Sequence, residues 1–100
     1  MKFEIAFTRT AAELVRSCRK YEQQIILDAI DEHLAHEPTT ETRNRKRLGE
    51  NELSDWELRV QDFRVFYDVL IEDERGLVKI KAVGHKEHGV LRIGDKEVRL

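Results

Sequence analysis

Hydrophobic and polar positions alternate at the start of the chain, with Phe3, Ile5 and Phe7 set against Lys2, Glu4 and Ala6, which predicts a first strand of about six residues. The period then lengthens. Ala11, Leu14, Val15 and Cys18 fall on one helical face, behind a cap at Thr8 or Thr10, and Thr10 with Glu13 fits the S/T-x-x-E capping box. From about Tyr21 a second helical pattern carries Ile26, Leu27, Ile30 and Leu34 inward and Gln23, Asp28, Asp31 and Glu32 outward, until Pro38 forbids its continuation. Residues 39–54 are polar and predict an exposed connection, with Leu48 as an apolar anchor and Gly49 as a break. Alternation returns over 55–60, 63–71 and 77–83, with Gln61-Asp62 and the acidic run 72–76 as the turns of an antiparallel meander. Gly94-Asp95 closes a small terminal hairpin. Strand, helix, helix and then strands predict an α+β class, with the helix hairpin packed on one face of the sheet.

Composition narrows the class further. One hundred residues suit a single domain over 1–100 that folds without staples. Cys18 is the only cysteine, so an internal disulfide is excluded, and the reducing cytoplasm is the expected setting. No apolar run approaches a membrane span or a secretory signal, so neither a membrane partner nor export is expected. A net charge of -2 argues against coating nucleic acid by bulk electrostatics. Residues 1–42 carry five basic against eight acidic side chains, and residues 43–100 carry thirteen against twelve, so any polyanion contact is a local patch in the second part.

The chemistry concentrates in Trp56–Asp68. Alternation puts Trp56, Leu58 and Val60 on one strand face and Glu57 with Arg59 on the other, and the next strand returns Arg64 beside them. Arg is a phosphate clamp that never acts as a base, so Glu57 is the one proton acceptor of the three. In RNA the neighbouring 2′-hydroxyl is the nucleophile, so a base, a cationic clamp and an acid suffice without a metal or other cofactor. His85, Lys86 and His88 are the candidates for the acid. The plainer alternative is a solvated strand face with ordinary cross-strand ion pairs. His33 and His36 at the end of the second helix carry no assigned function, and His85 with His88 lacks the further ligands of a zinc site. Arg43, Arg45, Lys46 and Arg47 read as a solvated loop that also offers the best contacts to an RNA backbone, with His88 as a further contact. Trp56, Phe63 and Tyr67 are expected in the core, whereas Phe66 shares parity with Arg64 and is open to a base or a partner helix.

These residues resemble toxins of the RelE/ParE superfamily from bacterial type II toxin–antitoxin modules. The match runs over about residues 3 to 90: the strand-helix-helix start, Glu37-Pro38 through Leu48, the strands at Trp56–Val60 and Phe63–Tyr67, and Val83-Gly84-His85-Lys86. The resemblance implies a RelE-like fold. For its RelE-like branch it also implies metal-independent cleavage of mRNA in the ribosomal A site, held in check by an antitoxin that wraps the toxin in a hetero-oligomer.

Carried over by position, the resemblance implies Glu57 as base, Arg59 and Arg64 on the scissile phosphate, and His85 or Lys86 as acid or charge stabiliser. Glu57 stands where RelE-like enzymes usually carry a basic residue, although related ribonucleases of the superfamily use a glutamate there. The family's late aromatic or His-Tyr pair is missing, since the corresponding stretch reads His88-Gly89-Val90-Leu91-Arg92. Two alternatives therefore stand beside the ribonuclease: a ParE-like inhibitor of DNA gyrase, and a non-catalytic binding module of the same fold.

Overall fold

The computed structural model of the chain describes residues 1–100. Strand β1 (Phe3–Phe7) leads into helices α1 (Arg9–Arg16) and α2 (Lys20–Leu34). Six strands follow: β2 (Arg45–Arg47), β3 (Trp56–Val60), β4 (Phe63–Glu72), β5 (Arg75–Glu87), β6 (Val90–Ile93) and β7 (Lys96–Glu97). They form a seven-stranded open sheet in the order β2-β3-β4-β5-β6-β7, all antiparallel, with β1 joined parallel to the first half of β5. Two helices against a mostly antiparallel sheet are the expected α+β arrangement. No helix is long and apolar enough to cross a membrane.

Thr8, rather than Thr10, caps α1: its Oγ1 accepts a hydrogen bond from the Ala11 amide at 3.1 Å. The Glu22 carboxylate accepts the Arg19 amide at 2.9 Å and so secures the start of α2. Ile26, Ala29, Ile30 and Leu34 of α2 pack with Ala11 and Val15 of α1 onto Trp56, Leu58, Val60, Val65, Tyr67, Val78, Ile80 and Val83. Burying each large aliphatic or aromatic side chain there contributes about 1.5–3 kcal/mol. This is the helix face of the sheet.

The opposite face carries a second, smaller core. Phe66, Ala82 and Leu91 are buried there, covered by Leu48 and Leu53 of the β2–β3 connection and by Ile93 and Val98 of the tail. Phe66 therefore departs from expectation: it is 0% exposed, because the connection and the terminal hairpin fold over it. The connection also holds a strand that the charge run conceals. β2 pairs Arg45, Lys46 and Arg47 with Leu58, Glu57 and Trp56.

β5 is longer than its apolar pattern suggests and contains a bulge. Phe66 pairs with Ala82 and Tyr67 with Ile80, leaving Lys81 unmatched and shifting the side-chain alternation by one. Everything after the bulge, including Gly84, His85 and Lys86, takes its face from that slip.

Candidate phosphate-binding face

Register now fixes which charges meet. Arg59 stands directly opposite Arg64, which stands opposite Gly84; one row along, Lys46 faces Glu57, which faces Phe66. Lys86 lies two residues beyond Gly84 and pairs with Leu91, a member of the smaller core. Lys46, Glu57, Arg59, Arg64 and Lys86 thus share one face, four cations around one carboxylate. His85 does not join them. Its register partner Phe63 packs on the main core, so its ring lies on the helix side, 3.4 Å from the Glu87 carboxylate.

Each charged side chain has its own anchorage. The Arg59 Nε donates to Glu57 Oε2 at 3.0 Å, and both terminal guanidinium nitrogens remain without protein partners. The Arg59 backbone is held on both sides by Asn44, whose carbonyl accepts its amide at 2.7 Å and whose Nδ2 donates to its carbonyl at 3.2 Å. Glu57 is only 6% exposed. Arg64 folds its Nη1 back onto the turn, donating to the carbonyls of Gln61 and Phe63 at 2.8 Å each, while its Nε is buried without a partner. That turn is braced in turn by β5, since the Lys86 amide donates to Asp62 at 2.7 Å. The Lys86 side chain is exposed and makes no ion pair.

Among the remaining basic residues the outcome divides. Arg43 and His88 are exposed, His88 at the β5–β6 turn with φ 53°. Arg47 lies over the Trp56 ring, 5.6 Å from its centroid, away from the basic face. Arg45 contradicts the expectation of a solvated loop. It is 8% exposed, its Nε donates to the Thr40 carbonyl at 2.8 Å, its Nη1 donates to the His33 carbonyl at 2.9 Å, and Glu37 lies 3.8 Å from Nη2. It is a rivet between α2 and the sheet, with no free donor face for RNA.

On the helix side, Leu14, Cys18, Tyr21, Ile25, Phe63 and His85 line an open cavity of about 490 Å³. Burial, with Glu22 adding to it, pushes the Cys18 thiol above its ordinary range. No group of three or more His, Cys, Asp or Glu side chains is arranged to hold a metal ion.

Asn44, Gln61 and Asp62 support the face although strand alternation does not mark them as part of it. Gln61-Asp62 was legible as a turn, and the turn's carbonyls are what Arg64 and Lys86 use. Nothing in the residue pattern points to Asn44.

Chemically, the face is a cationic surface whose unengaged donors suit the oxygens of a phosphodiester. Like charges directly opposite on neighbouring strands destabilise the pair, and an anion between Arg59 and Arg64 reverses the sign of that contact.

Comparison with known proteins agrees with this architecture. The chain is similar to the solved toxin–antitoxin complex RelBE2 from Mycobacterium tuberculosis, with a TM-score of 0.68 and 23% identity over 86% of this chain and 100% of that chain. At that identity the likeness establishes the fold. No curated protein matches the sequence. The model of the family described as ParE toxin of type II toxin-antitoxin system, parDE, matches residues 5–89. With both helices and strands β2 to β5 inside that match, the chain belongs to the ParE toxin family of type II toxin–antitoxin systems, within the RelE/ParE superfamily.

Proposed function

We propose that this toxin is an endoribonuclease that cuts ribosome-bound mRNA and is neutralised by a cognate antitoxin. The single observation that carries the reading is the register pair Arg59–Arg64, joined on its face by Lys46 and Lys86, with the Arg59 terminal donors unengaged. In the reaction, the 2′-hydroxyl attacks the adjacent phosphorus, its proton passes to water, and the bond to the 5′-oxygen breaks to leave a cyclic phosphate. Arg59 and Arg64 neutralise charge developing on the phosphoryl oxygens, and Lys86 gives a proton to the departing oxygen. His85, on the other side of the sheet, takes no part. The antitoxin that would silence such a face carries acidic side chains to it.

Ribosomes programmed with a defined message provide the test. Wild-type protein is expected to cut it, and Arg64→Ala and Arg59→Ala each to lower kcat/KM by about 100-fold or more while the fold persists. Intact message with wild-type protein overturns the reading.

A second reading, inhibition of DNA gyrase, is favoured by one observation: Phe66, the one aromatic residue on the charged face, is wholly buried, so no ring is offered to stack on a base. Expression that damages DNA and leaves mRNA whole selects it.

A further inference from the structure

We propose that Glu57 is a positioning residue for Arg59 and does not accept the 2′-hydroxyl proton; this rests on the reading of the basic face as the RNA backbone site. A general base must come within hydrogen-bonding reach of the proton it removes. Glu57 is poorly placed for that. Its side chain is 8% exposed, it sits in register with the fully buried Phe66, and Oε2 is already occupied by Arg59.

The same geometry suits orientation. A guanidinium has one Nε–H and two terminal NH2 groups, and the terminal pair is the edge that forks onto phosphate. Because Glu57 engages Nε alone, it restrains the long Arg59 side chain without occupying that edge. Residues two apart on a strand project from the same face, so this pairing is built into β3 and needs no contribution from another element. Asn44 fixes the Arg59 backbone from both sides, which makes the base of the lever rigid as well. The Arg59 side chain is 48% exposed and would otherwise sample many rotamers, each to be given up on binding phosphate. The buried carboxylate also offsets the repulsion between Arg59 and Arg64, which face each other across β3 and β4.

Full-length wild-type, Glu57→Gln, Glu57→Ala, Arg59→Ala and the double variant Glu57→Ala/Arg59→Ala separate the two roles on ribosome-bound message. Glutamine keeps an oxygen for Arg59 Nε and has no proton affinity to speak of, so Glu57→Gln is expected to recover most of what Glu57→Ala loses. Quantitatively, Glu57→Ala lowers kcat/KM by about 10-fold or more, Glu57→Gln stays within about 3-fold of wild type, and Glu57→Ala adds nothing to Arg59→Ala. A loss of about 100-fold or more in Glu57→Gln, the range expected on removing a general base, overturns the proposal. So do losses that multiply in the double variant.

A second measurement needs no RNA. The Arg59 Nε–H nitrogen–proton resonance is expected to exchange slowly in wild type and Glu57→Gln and to collapse into the exchanging background in Glu57→Ala. A resonance indifferent to Glu57→Ala overturns the positioning role, whereas message left whole by wild type overturns the functional reading, so the two failures are told apart.

Discussion

Arg45 and Lys46 are neighbours in the chain and do opposite jobs. Arg45 is spent on the carbonyls of Thr40 and His33, and Lys46 points to the charged face. Arg45→Met is expected to destabilise the protein by about 2–4 kcal/mol, since it removes the two charge-assisted hydrogen bonds by which the guanidinium ties the Thr40 and His33 carbonyls to the sheet. Under the proposed ribonuclease function, it should leave the salt dependence of RNA binding unchanged. Lys46→Met should leave stability within about 0.5 kcal/mol and reduce the salt slope of binding by about 1. Urea unfolding and RNA titrations at several salt concentrations read both. The burial of Arg45 was not legible in a run of five polar residues, because its partners lie on α2 and in the loop after it. The shared face of Glu57, Arg59 and Arg64 was legible, because strand alternation alone decides it.

Tyr67 makes a different prediction at the same scale. Its hydroxyl donates to the Pro38 carbonyl at 2.6 Å. Burial pushes the phenol well above the ordinary tyrosine range, with Arg45 pulling the other way. The unfolded chain ionises this group above about pH 10 and the folded protein does not. Stability is therefore full below that pH and falls as pH rises beyond it. Tyr67→Phe should flatten this alkaline limb and cost about 1–2 kcal/mol at neutral pH, measured as shifts in urea midpoint.

Among the elements, β5 decides the most. Its bulge sends Lys86 to the basic face and His85 to the helices, a choice the sequence left open between two adjacent residues. A hint was present: Ile80 and Val83 are both core residues three positions apart, which strict alternation does not allow. The boundaries of β3 and β4 followed the pattern within a residue, whereas β2 was hidden inside a charge run and owes its existence to pairing with β3. Gly84 shows what β5 must accommodate. A Cβ there would lie 2.5 Å from the Arg92 carbonyl oxygen and 2.9 Å from Ile93 Cγ1, since the terminal hairpin crosses this strand closely. Gly84→Ala is expected to lift β6, destabilise by about 1–3 kcal/mol and raise hydrogen exchange over residues 90–97, while β3 keeps its protection.

At the scale of the molecule, a chain of net charge -2 presents a local basic face because the sheet sorts its charges by side. The helix hairpin, the meander and the α+β class followed from local periodicity. The joining of β1 to β5 did not, because no local pattern records a contact between Phe3 and Gly76 or Phe7 and Ile80. That pairing has a consequence in time. Phe3, Ile5 and Phe7 are made some seventy residues before the strand they pair with. If β1 docks after the meander has formed, Ile5→Ala should speed unfolding and leave refolding nearly unchanged, which a chevron plot reads directly. Until β5 is made, the hydrogen-bonding edge of β1 has no partner strand, an adhesive end that a chaperone can grip.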